Sequence, residues 1–424
     1  MIGEVVSVGT ELLLGQITNT NARFLAETLA GLGIEAYFQQ TVGDNRVRLR
    51  QALDLALARS DLVITVGGLG PTEDDLTKEV VAEALGLPLV EDEKVAAAVR
   101  CVVRRHGSQP PAAAVAKQSL VPQGAVVLPN PSGTAPGLLL AAGAKLVALL
   151  PGPPPELEAI VRQHLVSRLE GLLARREAEG TRRVYLRSRV VKLCGIGEAA
   201  VEDAVRDLVR SPNPTVAPLV GVGEVHLRVT ARASHPEEAA RLAQEMVGRV
   251  RGRLEAHIFG YDEETLAGAC GELLRRAALT LAVAESLTGG LVGHLLTETP
   301  GSSAYFDRSL VLYSNAAKIE LAGVDPEVLR RHGAVSPEVA LAMAEGVRRA
   351  SRTDLGLALT GIAGPSGARP GKPVGLVHIA LAGGRKEGLP VLVRCEFGGD
   401  RGLVKLRSAQ RALTLLWESL KAGR

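Results

Sequence analysis

The 424-residue sequence is poor in cysteine, methionine and aromatic side chains, with 4 Cys, 3 Met, 1 Trp, 5 Tyr and 5 Phe. Cys101, Cys194, Cys270 and Cys395 lie far apart and form no C-x-x-C pair, so neither a disulfide framework nor a zinc knuckle is indicated, and small buried thiols are expected. The most apolar stretch, 137–150, is interrupted by Lys145 and falls short of the roughly 20 residues that cross a bilayer. There is no excess of one charge: 49 Lys and Arg face 46 Asp and Glu, giving +3 without a long basic run, which lends little support to nucleic-acid or membrane-surface partners. The sequence also lacks a G-x-x-x-x-G-K-[ST] loop, a G-x-G-x-x-G fingerprint and a Nudix box. A strand-like run, Glu4 to Val8, begins almost at the initiator Met and leaves no room for a secretion signal, so the expected compartment is the cytoplasm.

What is present suits a multidomain enzyme. With 46% hydrophobic residues and 47 Gly, the chain can bury several cores, and its length calls for two or three domains. Three are expected: 1–170, 171–258 and 259–424. In the first, apolar runs at Val5–Val8 and Leu62–Val66 alternate with helical patterns at Asn21–Leu32 and Thr77–Leu85, which predicts a three-layer α/β domain with a largely parallel sheet. The charged segment Leu172–Thr181 reads as a helix end and linker. Strands at Val184–Leu193 and Glu224–Ala233, with helices at Glu198–Val209 and Pro236–Leu254, predict a small α+β connecting module, KH-like or ferredoxin-like. Its Gly195-Ile196-Gly197-Glu198 has the shape of a GXXG loop, but the surroundings lack the basic and aromatic residues that RNA contact recruits. A second α/β alternation begins with a helix at Glu264–Ala277 and a strand at Thr280–Ala284.

Four clusters in this last domain each follow a strand. Glu285-Ser286-Leu287-Thr288-Gly289-Gly290 opens a helix, whose N–H groups and dipole would stabilise an oxyanion beside Ser286; Ser286 or Thr288 equally fits an N-cap. Tyr313-Ser314-Asn315-Ala316-Ala317-Lys318 supplies a lysine that, drawn into a cleft, would deprotonate a serine with the tyrosine relaying the proton; an exposed lysine is the bland alternative. Thr360-Gly361-Ile362-Ala363-Gly364-Pro365, with Lys372-Pro373-Val374-Gly375, predicts an anion-binding loop or a flexible surface loop. Gly399-Asp400-Arg401 precedes the last helix, where Asp400 suits a cap and Arg401 a phosphate or carboxamide oxygen.

Together these motifs resemble the CinA C-terminal family of nicotinamide-nucleotide amidases across the whole third domain. That resemblance implies hydrolysis of nicotinamide mononucleotide to nicotinic acid mononucleotide and ammonia, with no cofactor. Ser286 would be the nucleophile and Lys318 its base, assisted by Tyr313. Arg401 and Thr360 would orient the substrate, while Gly289, Gly290 and Gly364 shape the loops. Gly367-Ala368 stands where a Gly-Gly pair is common and Leu287 where members often carry Cys; neither change removes a needed chemical group.

In the first domain, Gly-rich or Pro-rich turns at Gly9, Gly67–Pro71 and Pro151–Pro155 follow strands and form the expected site. Glu11 and the run Glu73-Asp74-Asp75 offer carboxylates for a divalent ion or for capping the helix that starts near Leu76. Asn130–Gly137 adds the hydroxyls of Ser132 and Thr134 and free N–H groups that would cradle an anion. The set GTELLLGQITNTN, GGLGPTEDD, NPSGTAPG and PGPPPE resembles the molybdopterin-binding-like domain of full-length CinA proteins. Some members are similar to metal-dependent ADP-ribose pyrophosphatases. The resemblance implies Mg, Mn or Co at Asp74, Asp75 and Glu11, Gly68 and Lys78 near the diphosphate, and a homodimer. A non-catalytic nucleotide- or pterin-binding module that regulates the amidase is the alternative. The family's association with competence and DNA damage offers a third reading, against which the charge argues.

Overall fold

The computed structural model describes residues 1–105, 111–178, 180, 184–383 and 390–423. Thr181, at the end of the expected linker, lies outside them. Contacts gather the chain into two compact units, Met1–Arg187 with Ala231–Arg241, and Ser188–Thr230 with Leu242–Arg424.

The first unit holds a six-stranded sheet in the order Glu35–Val42, Ile2–Val8, Leu62–Val66, Lys145–Leu150, Gly137–Ala142, Val126–Leu128. The first four strands run parallel; the last two pair antiparallel. Central strands of such a sheet are covered on both faces, and Leu62–Val66 is accordingly apolar and buried along nearly its whole length. The stretch 137–150 is a hairpin, turned at Gly143 in the left-handed region (φ 61°). Helices Thr20–Gly31 and Thr77–Leu85 match their apolar periodicity.

The connecting module is a four-stranded sheet ordered Thr215–Val220, Val225–Ala233, Tyr185–Leu193, Ile258–Tyr261, with helices Glu198–Val209 and Pro236–Leu254. The C-terminal sheet has the order Phe306–Val311, Leu281–Glu285, Leu355–Gly361, Leu376–Gly383, Val391–Glu396; the first three strands are parallel and the last two antiparallel. On one face, helices Leu266–Ala277 and Arg401–Lys421 bury Leu274, Leu413 and Trp417; on the other, helix Pro337–Ser351 buries Val339, Met343 and Val347. That sandwich places the ends of the parallel strands, and the loops after them, along one edge.

Cys194 and Cys270 are buried, and burial pushes the Cys194 thiol up to about 12 and the Cys270 thiol higher still. Cys395 is half-buried, but Cys101 is exposed, contrary to the expectation of four buried thiols. Among the described residues no helix is long and apolar enough to cross a membrane.

Candidate active site

Ser286 directly follows the buried strand Leu281–Glu285. Its amide donates to Leu359 O at 3.0 Å, while Leu312 N donates to Glu285 O at 2.7 Å, so both neighbouring strands fix the end from which the serine emerges. Lys318 lies on helix Asn315–Ala322, capped by Ser314, whose hydroxyl accepts from Ala317 N at 3.0 Å. The lysine is only 1% exposed. Its Nζ stands 3.2 Å from Ser286 Oγ, 2.6 Å from Leu312 O and 3.5 Å from Tyr313 O. Burial draws its pKa down to about 8. A neutral amine has two N–H bonds and one lone pair; if the carbonyls of Leu312 and Tyr313 take the hydrogens, the lone pair is left for Ser286.

Tyr313 is placed differently from its expected relay role. Its side chain is 63% exposed, and its hydroxyl accepts from Arg401 Nη2 at 3.0 Å; what it offers Lys318 is its carbonyl oxygen. Arg401 begins the last helix, for which Asp400 is the N-cap, accepting from Leu403 N at 2.8 Å. The Nη1 of Arg401 donates to Gly364 O at 2.7 Å, joining the third and fourth clusters. Gly364 adopts φ 83°, and a Cβ there would stand 2.7 Å from Val374. Thr360 is buried with its hydroxyl donating to Ala334 O at 2.7 Å, so its Oγ–H proton is already engaged and is not free to orient a substrate.

Sequence reasoning missed Glu285. Fully buried, its carboxylate accepts from Gly290 N at 2.9 Å, Val292 N at 3.1 Å, Gly293 N at 2.8 Å and Ser309 Oγ at 2.7 Å. Gly289 and Gly290, at φ 65° and 96°, turn the chain back so that these amides reach it. The helix that follows, Leu291–Thr297, is capped at Gly290, not at Ser286 or Thr288. Three amides at its start, those of Gly290, Val292 and Gly293, go to Glu285 rather than to an oxyanion. A signal was present: an acid ending an otherwise apolar, buried strand requires donors nearby.

In the first unit, the three turns line one cleft of about 350 Å³, together with Glu11, Asp74, Asp75 and Thr134. Gly67 (φ 99°) and Gly68 (φ 67°) form its tight floor: a Cβ at Gly67 would stand 2.3 Å from Val8 O, and one at Gly68 2.3 Å from Thr77 Oγ1. None of the acids caps helix Thr77–Leu85, whose N-cap is Leu76. Asp75 accepts from Thr72 N at 2.9 Å and Thr72 Oγ1 at 2.5 Å. Asp44 and Glu156, also in the cleft, are engaged by Thr10 and by Asn130. Among the described residues no three His, Cys, Asp or Glu side chains are disposed to hold a metal ion, so Glu11, Asp74 and Asp75 do not make a preformed cage.

Lys78 is turned away from the cleft. It is 4% exposed, and its Nζ donates to Lys117 O at 2.8 Å and Gln118 O at 3.2 Å. Burial lowers its pKa to about 8. Ser132 is exposed and does not line the cleft; the Ser132 and Gly133 amides donate to Asn130 Oδ1 at 3.0 and 2.9 Å and are not free for an anion. Thr134 Oγ1 accepts from Gln118 at 2.9 Å.

Family models match three successive segments: "Probable molybdopterin binding domain" at residues 4–171, "Damage-inducible protein CinA KH domain" at 188–260 and "CinA C-terminal domain" at 263–420. A protein of Moorella thermoacetica, provisionally named as competence-damage inducible, is 51% identical over 424 residues, covering 100% of this chain and 99% of its own. A CinA-like protein of Dictyoglomus thermophilum is 43% identical, covering 98% of each chain. A crystal structure of the competence/damage inducible protein CihA from Agrobacterium tumefaciens is 41% identical, covers 36% of this chain and 91% of its own, and has a TM-score of 0.34. With three matched segments in this order and relatives alike from end to end, the chain belongs to the CinA family.

Proposed function

We propose that the C-terminal domain is an amidohydrolase that acts on nicotinamide mononucleotide, releasing nicotinic acid mononucleotide and ammonia. The buried Lys318 amine 3.2 Å from Ser286 Oγ carries this reading. Neutral Lys318 accepts the Ser286 proton as Oγ attacks the carboxamide carbon. The resulting ammonium returns a proton to the departing nitrogen, which leaves as ammonia. Water, deprotonated by the same amine, then cleaves the acyl-serine ester and restores the hydroxyl. Arg401, exposed at the start of its helix, meets the substrate, with Tyr313 held beside it.

For the first domain, the cleft between glycine-rich strand ends supports a nucleotide, and we take ADP-ribose as its substrate to test. AMP release that depends on added Mg, Mn or Co supports a pyrophosphatase; binding without AMP supports the regulatory module. We place the protein in the cytoplasm as a homodimer.

The deciding experiment measures ammonia and nicotinic acid mononucleotide formed by the full chain and by Ser286→Ala. Turnover that collapses in the variant supports the amidase. A folded wild type that releases no ammonia overturns it.

A further inference from the structure

Helix Arg401–Lys421 carries five cations: Arg401, Lys405, Arg407, Arg411 and Lys421. Four are engaged by protein oxygens. Arg401 donates to Gly364 O and the Tyr313 hydroxyl, Arg407 to Gly398 O at 2.5 Å, Arg411 to Glu418 at 3.2 Å and Lys421 to Glu255 O at 2.9 Å. Lys405 takes no hydrogen bond or ion pair among the described residues, although it is half-buried. An ammonium with no protein acceptor is available to an anionic ligand.

Its position says which ligand. A methyl group built on Gly289 would stand 3.7 Å from Lys405 Nζ, so the ammonium overhangs the glycine turn three residues beyond Ser286. Three extended residues span at most about 11 Å. Lys405 also follows Arg401 by one helical turn, which sets both cations on the same side of the helix. The arrangement suits a small molecule that presents an amide to Ser286 and an anion at its other end. A compact ammonium on a long stem is well suited to phosphate as a point charge.

We propose that Lys405 binds the 5′-phosphate of the mononucleotide and thereby makes the site selective for nucleotides over nucleosides. This rests on the amidase reading above. Ammonia release from nicotinamide mononucleotide and from nicotinamide riboside, which lacks the phosphate, tests it in the wild type, Lys405→Met and Lys405→Arg. Loss of one charge-assisted contact is expected to lower kcat/KM for the mononucleotide about tenfold to a hundredfold in Lys405→Met, mainly through KM. The riboside rate should be unchanged, and Lys405→Arg should restore most of the loss. Equal losses on both substrates, or none on either, overturn the inference while leaving the amidase intact. A wild type inactive on both compounds overturns the amidase reading and this inference together.

Discussion

Lys318 Nζ is hydrogen-bonded to both Ser286 Oγ and the carbonyl oxygen of Leu312, at 3.2 and 2.6 Å, which ties the candidate base to the nucleophile and to the backbone of the neighbouring strand's end. With its pKa drawn down to about 8, the amine is protonated below that pH and competent above it. Ammonia release per unit enzyme and substrate should therefore fall about tenfold for each pH unit below 8 and level off above. A rate independent of pH between 6 and 9 would show that Lys318 is not the base.

The same shift has a consequence for stability. The unfolded chain holds the Lys318 proton more tightly than the folded one, so between about pH 8 and the ordinary 10.5 the unfolded state binds more protons and stability rises with pH. Lys318→Met removes this dependence. Chemical denaturation of both proteins should show the difference in unfolding free energy, wild type minus variant, rising across that window and flat below it. A difference that stays constant up to pH 10.5 contradicts the depressed pKa.

Tyr313→Phe distinguishes a relay from a prop. Because the hydroxyl accepts from Arg401, its loss should change kcat by less than about tenfold, the worth of one exposed hydrogen bond, whereas Ser286→Ala abolishes turnover. A collapse of kcat in Tyr313→Phe comparable to that of Ser286→Ala would restore the tyrosine to the proton path.

Glu285→Ala leaves three backbone amides, two of them buried, and the Ser309 hydroxyl without their fully buried acceptor. Each buried donor so stranded costs about 1–3 kcal/mol, so a loss of at least about 3 kcal/mol is expected in urea unfolding. A loss below about 1 kcal/mol would mean that the loop holds itself.

Gly68 and Gly15 share φ 67°, but a methyl group would meet Thr77 Oγ1 at 2.3 Å in the first and nothing within 4 Å in the second. Both Ala variants bear the left-handed strain of about 1 kcal/mol. Gly68→Ala should be less stable than Gly15→Ala by a further 1 to 3 kcal/mol, roughly the cost of overpacking. Equal melting temperatures would show that the cleft floor yields freely.

Much of this was legible in the sequence because periodicity reports burial. The strand Leu62–Val66 and the helices Thr77–Leu85, Glu198–Val209 and Pro236–Leu254 fall on the expected residues. For Lys318 the residues left two readings open, a base drawn to a serine or an exposed side chain, and the resemblance to the amidases favoured the first, since residue spacing does not say which face of a helix a lysine crosses. What stayed hidden was the destination of hydrogen bonds. Nothing in the order of residues shows that Thr360 turns to Ala334 or that Lys78 folds its stem inward to two carbonyls. Each depends on chain segments brought close by tertiary packing. The run 137–150 shows another limit: two adjacent buried strands read as one apolar stretch, and only the turn at Gly143 separates them.

The burial of Glu285 at the head of helix Leu291–Thr297 gives the surroundings of Ser286 an electrical direction. Fixed negative charge cancels the positive pole that a bare helix start would present there, while the guanidinium of Arg401 remains at the exposed rim. A molecule with an anionic tail is consequently turned by the field as it arrives: the tail is discouraged from the interior and held toward the rim.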